Sequence, residues 1–178
     1  MGFANFPFRN ITAIAFIACL GLQSAGAIAA PKSKLVGEYK QWSAHEIREG
    51  RAKTCYAHGE PTKQTGKYKK RGRTFIQVTH RPAEGTWNEV GITAGYSYRR
   101  DSEAIVRIDK RRFVLFTDKD TAWAKDSRQD RRLVRALKKG RIMTVRATSS
   151  RGTVTVDTYS LSGFTKAYQA MGRACKRR

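Results

Sequence analysis

Three histidines, three cysteines and two closely spaced aspartates are the residues of this chain with the most chemistry to offer. His45, Cys55 and His58 lie close together in sequence, which raises a metal site as one reading. Their spacing fits no common structural zinc pattern, in which ligands come as close pairs across a longer gap. Giving Cys55 to a metal would also leave Cys175 alone. Asp118 and Asp120, in the run TDKDTAW, offer carboxylate oxygens to a hard cation. Lys119 stands between them in basic surroundings, so the segment reads better as a turn ahead of a helix. His80 is followed by Arg81-Pro82, and proline stops sheet pairing, which makes it a strand end. No G-x-S-x-G elbow marks an activated serine. No glycine-rich loop is shaped to cradle a phosphate. These residues call for no catalytic centre, no metal and no cofactor. A hydrolase built on an unrecognised histidine such as His80 stays open as an alternative, recognisable by a cleft that brings a Ser or Asp within hydrogen-bond reach.

The redox setting of the cysteines follows from the first thirty residues. Arg9 is the only charge before Lys32, and Ile11 to Leu22 form an apolar run of twelve residues. A membrane-spanning helix needs about 20 apolar residues, whereas a signal-peptide core is shorter. Ala27-Ile28-Ala29 then fits a small-x-small cleavage site. Residues 1–29 are therefore read as a signal peptide and residues 30–178 as one exported domain, with no membrane span left after cleavage. Acylation at Cys19 as a lipoprotein is the alternative; Phe16 and the short apolar run before it argue against it. Cleavage at Ala29 removes Cys19 and leaves Cys55 and Cys175. Two thiols in an oxidising compartment pair. The bridge would close a loop of about 120 residues, which the chain-entropy account credits with about 4–5 kcal/mol.

Charge is the second constraint. Residues 30–178 carry 35 of the 36 Lys and Arg against all 14 Asp and Glu, a formal +21. Such a field draws anions to the surface. The densest cluster is Lys67, Lys69, Lys70, Arg71 and Arg73, bracketed by Gly66 and Gly72 between two strand-like runs, and so reads as an exposed basic loop. Arg99 and Arg100 form a smaller group. These seven residues are the expected anion-binding set. The expected partner is an anionic envelope or host-surface component (lipopolysaccharide, acidic lipid or glycan) or a protein. Nucleic acid is not expected, because an exported chain rarely meets it and no recognition motif is present. Trp42 and Trp123 read as core or sheet cover, while Trp87, beside Gly85 in a turn-like stretch, is left open for ligand contact.

The elements that must position these residues are mostly strands. Residues 36–44, 52–57, 73–80 and 89–94 carry strand-like patterns; in the third, Ile76 and Val78 alternate with Phe75, Gln77 and Thr79. Residues 104–116 form the clearest hairpin, turning at Asp109-Lys110-Arg111. Residues 141–147 and 153–159 make another pair about a turn at Ser149 to Gly152. Two helices interrupt. One spans 126–139, capped by Asp126 and stopped by Gly140; the other spans 162–171, with Phe164, Ala167, Tyr168 and Met171 on one stripe. Seven or eight short strands predict a mainly β, antiparallel sandwich with one or two short helices.

The order of these pieces resembles the invasion associated locus B family. Carrying the resemblance are RGTVTVDTYSLSGFTKAYQAM after a basic helix ending LVRALKKG, Trp42 ahead of Cys55-Tyr56, FIQVTHRPAEG, and FTDKDTAWAKD. It covers about residues 36–175. The resemblance implies an immunoglobulin-like β-sandwich and an exported protein of an alphaproteobacterium, with an association with host-cell invasion but no established enzymatic activity. Many family members carry a further cysteine pair just before the helix; residues 116–123 hold none here, which marks a distinct subgroup. The functional expectation is a non-enzymatic periplasmic protein, secreted or outer-surface associated in a variant reading. A periplasmic structural or folding helper is the remaining alternative, recognisable by an uncovered sheet edge or apolar groove.

Overall fold

In the computed structural model, residues 33–176 are described; the expected signal peptide at 1–29 lies outside them. Eleven strands and two helices follow in chain order: β1 (Lys34–Tyr39), β2 (Trp42–Glu49), β3 (Ala52–Gly59), β4 (Lys63–Gly66), β5 (Phe75–Arg81), β6 (Thr86–Thr93), β7 (Glu103–Ile108), β8 (Arg111–Asp118), β9 (Thr121–Trp123), α1 (Ser127–Lys139), β10 (Ile142–Thr148), β11 (Val154–Ser160) and α2 (Phe164–Ala174). All strand pairings are antiparallel, in the order β1-β2-β3-β5-β6-β9-β8-β7-β10-β11-β4. The chain is mainly β, as its patterning predicts, and its architecture is consistent with an immunoglobulin-like sandwich.

Alternation along the strands decides what is buried. Ile76 and Val78 of β5, Val90 and Ile92 of β6, Val106 and Ile108 of β7, and Met143 and Val145 of β10 all face the core. Their neighbours in sequence face outward, as a period of two requires. Two expected segments need correction. Residues 36–44 are not one strand: Lys40 turns the chain with φ +58°, giving the β1–β2 hairpin. In the 104–116 hairpin Arg111 belongs to β8, paired with Ile108, so the turn is Asp109-Lys110 alone, with Asp109 at φ +50°. The turn expected in TDKDTAW falls at Lys119-Asp120, ahead of α1, and Lys119 at φ +52° lets β9 fold back on β8.

The helices close the core. Asp126 caps α1 by accepting the Gln129 backbone N–H at 2.7 Å, and Leu133, Val134 and Leu137 are buried beneath it. The helix α2 buries Phe164, Ala167, Tyr168 and Met171 and packs on β1, β2 and β3. Gly163, at φ +101°, starts it; any Cβ there would collide with the Tyr39 carbonyl oxygen. Trp42 meets Phe164 edge-on at 4.7 Å and donates its indole N–H to Ser160 O at 2.9 Å, joining β2 to the end of β11. Truncating either ring would cost about 3–5 kcal/mol. Cys55 of β3 and Cys175, just past α2, form a disulfide with Cα atoms 5.9 Å apart, so the end of α2 is tied to the sheet.

Candidate anion-binding pocket

Residues 67–74 connect β4 to β5, and one side chain holds this basic loop in place. The Arg71 guanidinium donates Nη1–H and Nη2–H to the two carboxylate oxygens of Asp157 on β11, each at 2.6 Å. Its Nε–H goes to Ala94 O, also at 2.6 Å. Both side chains of the pair are only 4% exposed. The guanidinium lies 4.9 Å from the Tyr96 ring centroid and 5.5 Å from that of Tyr68, both within cation–π range. Burial acts to lower the Arg71 pKa; the bonds to Asp157 outweigh it and leave the pKa raised. The next residue, Gly72, donates its N–H to Gly95 O at 2.8 Å. Gly95 has φ +73°, and a Cβ there would run into Gly72 O, so the close approach of the two segments depends on glycine.

Pinned in this way, the loop forms one wall of a pocket of about 620 Å³. Lys67, Lys69 and Lys70 line it from the loop side, with Tyr68 among them. The turn joining β10 to β11 supplies the other wall with Ser149, Ser150 and Arg151. That turn is held by Ser150 N–H to Ser97 O at 2.8 Å, and Tyr96 bonds Thr155 Oγ1 through its hydroxyl at 2.6 Å. The pairing of β4 with β11, in which Gly66 faces Thr155, brings the two walls together. Three lysines, Arg151, the paired Arg71 and several hydroxyls thus line a concave site, a combination suited to an oxyanion with polar substituents.

The seven residues expected to bind anions divide. Lys67, Lys69 and Lys70 line the pocket, with no ion pair among the described residues. Arg71 also lines the pocket, with its guanidinium paired to Asp157 and holding the loop. Arg73 is 78% exposed and pairs with Glu60 at 3.0 Å, outside the pocket. Arg99 and Arg100 are exposed beyond Tyr98, which bridges to Ser149, and do not line the pocket. Arg151 and Tyr96 went unnoticed in the sequence. The turn holding Arg151 was legible, but its nearness to the basic loop follows from β4, a strand of four exposed residues that no hydrophobic pattern announces.

The histidines are placed as follows. His80 is fully buried, accepts the Asn88 backbone N–H on Nδ1 at 3.1 Å, and packs edge-on against Trp87 and Tyr168 at 5.1 and 5.5 Å. Trp87 is therefore half-buried on β6 beside the core. His45 stacks on Tyr56 at 4.8 Å and bonds Ser43 Oγ at 2.8 Å. His58 lies 3.5 Å from Glu60. Burial first, and then the charge of His58, lowers the His45 pKa; burial likewise lowers that of His58 despite Glu60. Cys55 faces the core and is bonded to Cys175, so the three residues His45, Cys55 and His58 do not form a metal set. Among the described residues no group of three or more His, Cys, Asp or Glu is placed to hold a metal ion.

No described helix is long and apolar enough to cross a membrane, a statement that does not bear on β-barrel spans. The disulfide is compatible with an exported protein. No curated protein matches the chain significantly, and no solved structure does. The family described as Invasion associated locus B (IalB) protein matches residues 42–172, from Trp42 on β2 to Gly172 in α2. With most of its length matched, the chain belongs to the invasion associated locus B family.

Proposed function

We propose that this chain is an exported, non-enzymatic envelope protein that binds an anionic component of the envelope or of a host surface in the pocket beneath residues 67–70. The observation that carries this reading is the buried Arg71–Asp157 pair, which holds a lysine-rich loop rigidly over a concave site. A merely solubilising loop has no need of such a clamp. The formal charge of +21 on residues 30–178 supports attraction of anions over long range. Membership of the invasion associated locus B family supports an envelope setting with a role in host interaction. Catalysis at His80 would need a substrate to reach a fully buried ring.

The test is co-sedimentation with anionic vesicles and with lipopolysaccharide across a salt series. Replacing Lys67, Lys69 and Lys70 with Ser, and leaving Arg71 in place, should weaken binding about a hundredfold and flatten its salt dependence. Undiminished binding by that variant would remove the pocket from consideration. A folding helper that pairs a client strand with the sheet is the second reading, favoured by Leu35 and Val36 on the edge strand β1, 50% and 37% exposed. An L35K/V36K variant that lost binding to unfolded exported proteins would support it.

A further inference from the structure

A second concentration of charge lies away from the pocket. Arg111 and Arg112 open β8, and Arg132 and Arg135 stand on α1, three residues apart and so on neighbouring positions of one helix surface. Together with Phe113 these four arginines line a cleft of about 400 Å³. Phe113 is buried and so offers no exposed ring face, leaving the open lining of the cleft to the four arginines. It shares no residue with the pocket beneath the basic loop.

Among the described residues none of these four arginines has a carboxylate within ion-pair distance. Across the β7–β8 hairpin Arg112 faces Arg107, a like-charge pair that destabilises a sheet. The nearby acids of α1 are engaged elsewhere: Asp126 caps the helix, and Asp130 is buried with Val90 N–H bonded to it. By contrast, the chain pairs Arg48, Arg71, Arg73 and Arg81 with carboxylates. Four arginines lining one cleft concentrate positive charge there, and a multivalent anion bound among them offsets it. The planar fork of each presents paired N–H groups that match the oxygens of a phosphate. The lack of an exposed aromatic ring removes any platform for stacking a nucleobase.

We propose that this cleft is a second binding site, specific for clustered phosphate groups, as on a pyrophosphate or a phosphomonoester-bearing ligand. The same chemistry is offered by a soluble phosphorylated compound and by a phosphorylated lipid headgroup. The site functions independently of the lysine pocket.

The test titrates the purified domain, disulfide intact, with inorganic pyrophosphate by calorimetry, and separately with phosphatidylcholine vesicles containing phosphatidic acid. Arg132→Ser with Arg135→Ser should weaken pyrophosphate binding at least about tenfold, and so should Arg111→Ser with Arg112→Ser. The Lys67, Lys69 and Lys70 to Ser variant should leave it unchanged, which separates failure of this proposal from failure of the pocket. Replacing all four arginines with Lys keeps the charge and removes the forks, and should still weaken binding several-fold. Equal binding by the four-lysine variant overturns the site as a phosphate receptor, because charge alone would then account for it. Binding of neither probe, or loss of pyrophosphate binding in the loop variant, overturns it as well. Binding to pyrophosphate alone identifies a soluble source; binding to phosphatidic acid vesicles alone identifies a membrane source where the Lys67, Lys69 and Lys70 to Ser variant keeps it and the arginine variants lose it, and overturns the site otherwise. All four residues are exposed, so the variants retain the core; equal thermal midpoints verify this.

Discussion

Two of the three carboxylates buried among the described residues, Asp157 and Asp130, are treated in opposite ways, while the third, Glu46, is paired with Arg48 and Lys53. Asp157, on β11, meets the Arg71 guanidinium with both oxygens and is enclosed with it. Asp130, on α1, receives only the backbone N–H of Val90, at 3.0 Å, among the hydrogen bonds of the described residues. Its pKa is pushed up from 3.8 to about 6, chiefly by burial, with the Val90 bond acting against that and Glu89 and Asp126 adding to it. Asp157 holds the loop of residues 67–74 against the fold, while Asp130 fastens a helix to β6. The contrast sets a buried carboxylate matched by a guanidinium from a loop against one matched only by a backbone N–H from a neighbouring strand.

The largest expected effect breaks the compensated member. Arg71→Ala leaves Asp157 buried without its partner and should cost about 3–5 kcal/mol in urea unfolding. It should also weaken anion binding, since the lysines lose their anchor. Removing both charges, as Arg71→Met with Asp157→Leu, should restore most of the stability, because apolar replacements of a buried pair are often neutral. Anion binding should remain impaired in the double variant. Recovery of both stability and binding would show that the pair does nothing for the loop.

Asp130 gives the next effect, with a definite sign. The native carboxyl keeps its proton up to about pH 6, whereas the unfolded one loses it near 3.8. Between those values the native state binds more protons, so stability falls as pH rises. The penalty is absent below about pH 4 and complete above about pH 6. Asp130→Asn removes the charge and keeps an oxygen for Val90 N–H. It should therefore stabilise the protein by about 1–3 kcal/mol at pH 7 and change little at pH 4. Thermal midpoints of the two proteins at both pH values decide it; an equal difference at each would show that Asp130 is not held protonated.

The two carboxylates also mark how far the sequence could be read. The α1 cap at Asp126 is a local signal, and the disulfide follows once two cysteines remain after cleavage of the expected signal peptide. Neither buried carboxylate has such a signal. Asp130 finds its partner 40 residues away on β6, and Arg71 finds Asp157 86 residues away. Read locally, Arg71 is one more charge in a basic run, indistinguishable from Lys69 and Lys70. What separates it is the pairing of β4 with β11, and β4 (KQTG) carries no apolar residue to reveal it. The β1–β2 turn was hidden for a similar reason, since Lys40-Gln41 holds neither Gly nor Pro. The strands with alternating apolar residues, by contrast, were legible because burial on one face needs only the local pattern.

The smallest effect probes the neighbourhood of Asp157 itself. Tyr159 lies two residues further along β11, on the same inward face, and is 1% exposed. Its hydroxyl has no hydrogen-bond partner among the described residues. Burial, with Asp157 and Tyr98 nearby, raises its pKa well above the ordinary phenol value, so it stays neutral and contributes no charge to the pair. An unpaired buried hydroxyl carries its desolvation cost with no compensating bond. Tyr159→Phe keeps the ring and its packing, and should leave stability unchanged or raise it by up to about 1 kcal/mol in urea unfolding. A loss larger than that would mean that the hydroxyl supports the Arg71–Asp157 pair, and that the compensation around Asp157 extends one residue further than the hydrogen bonds reveal.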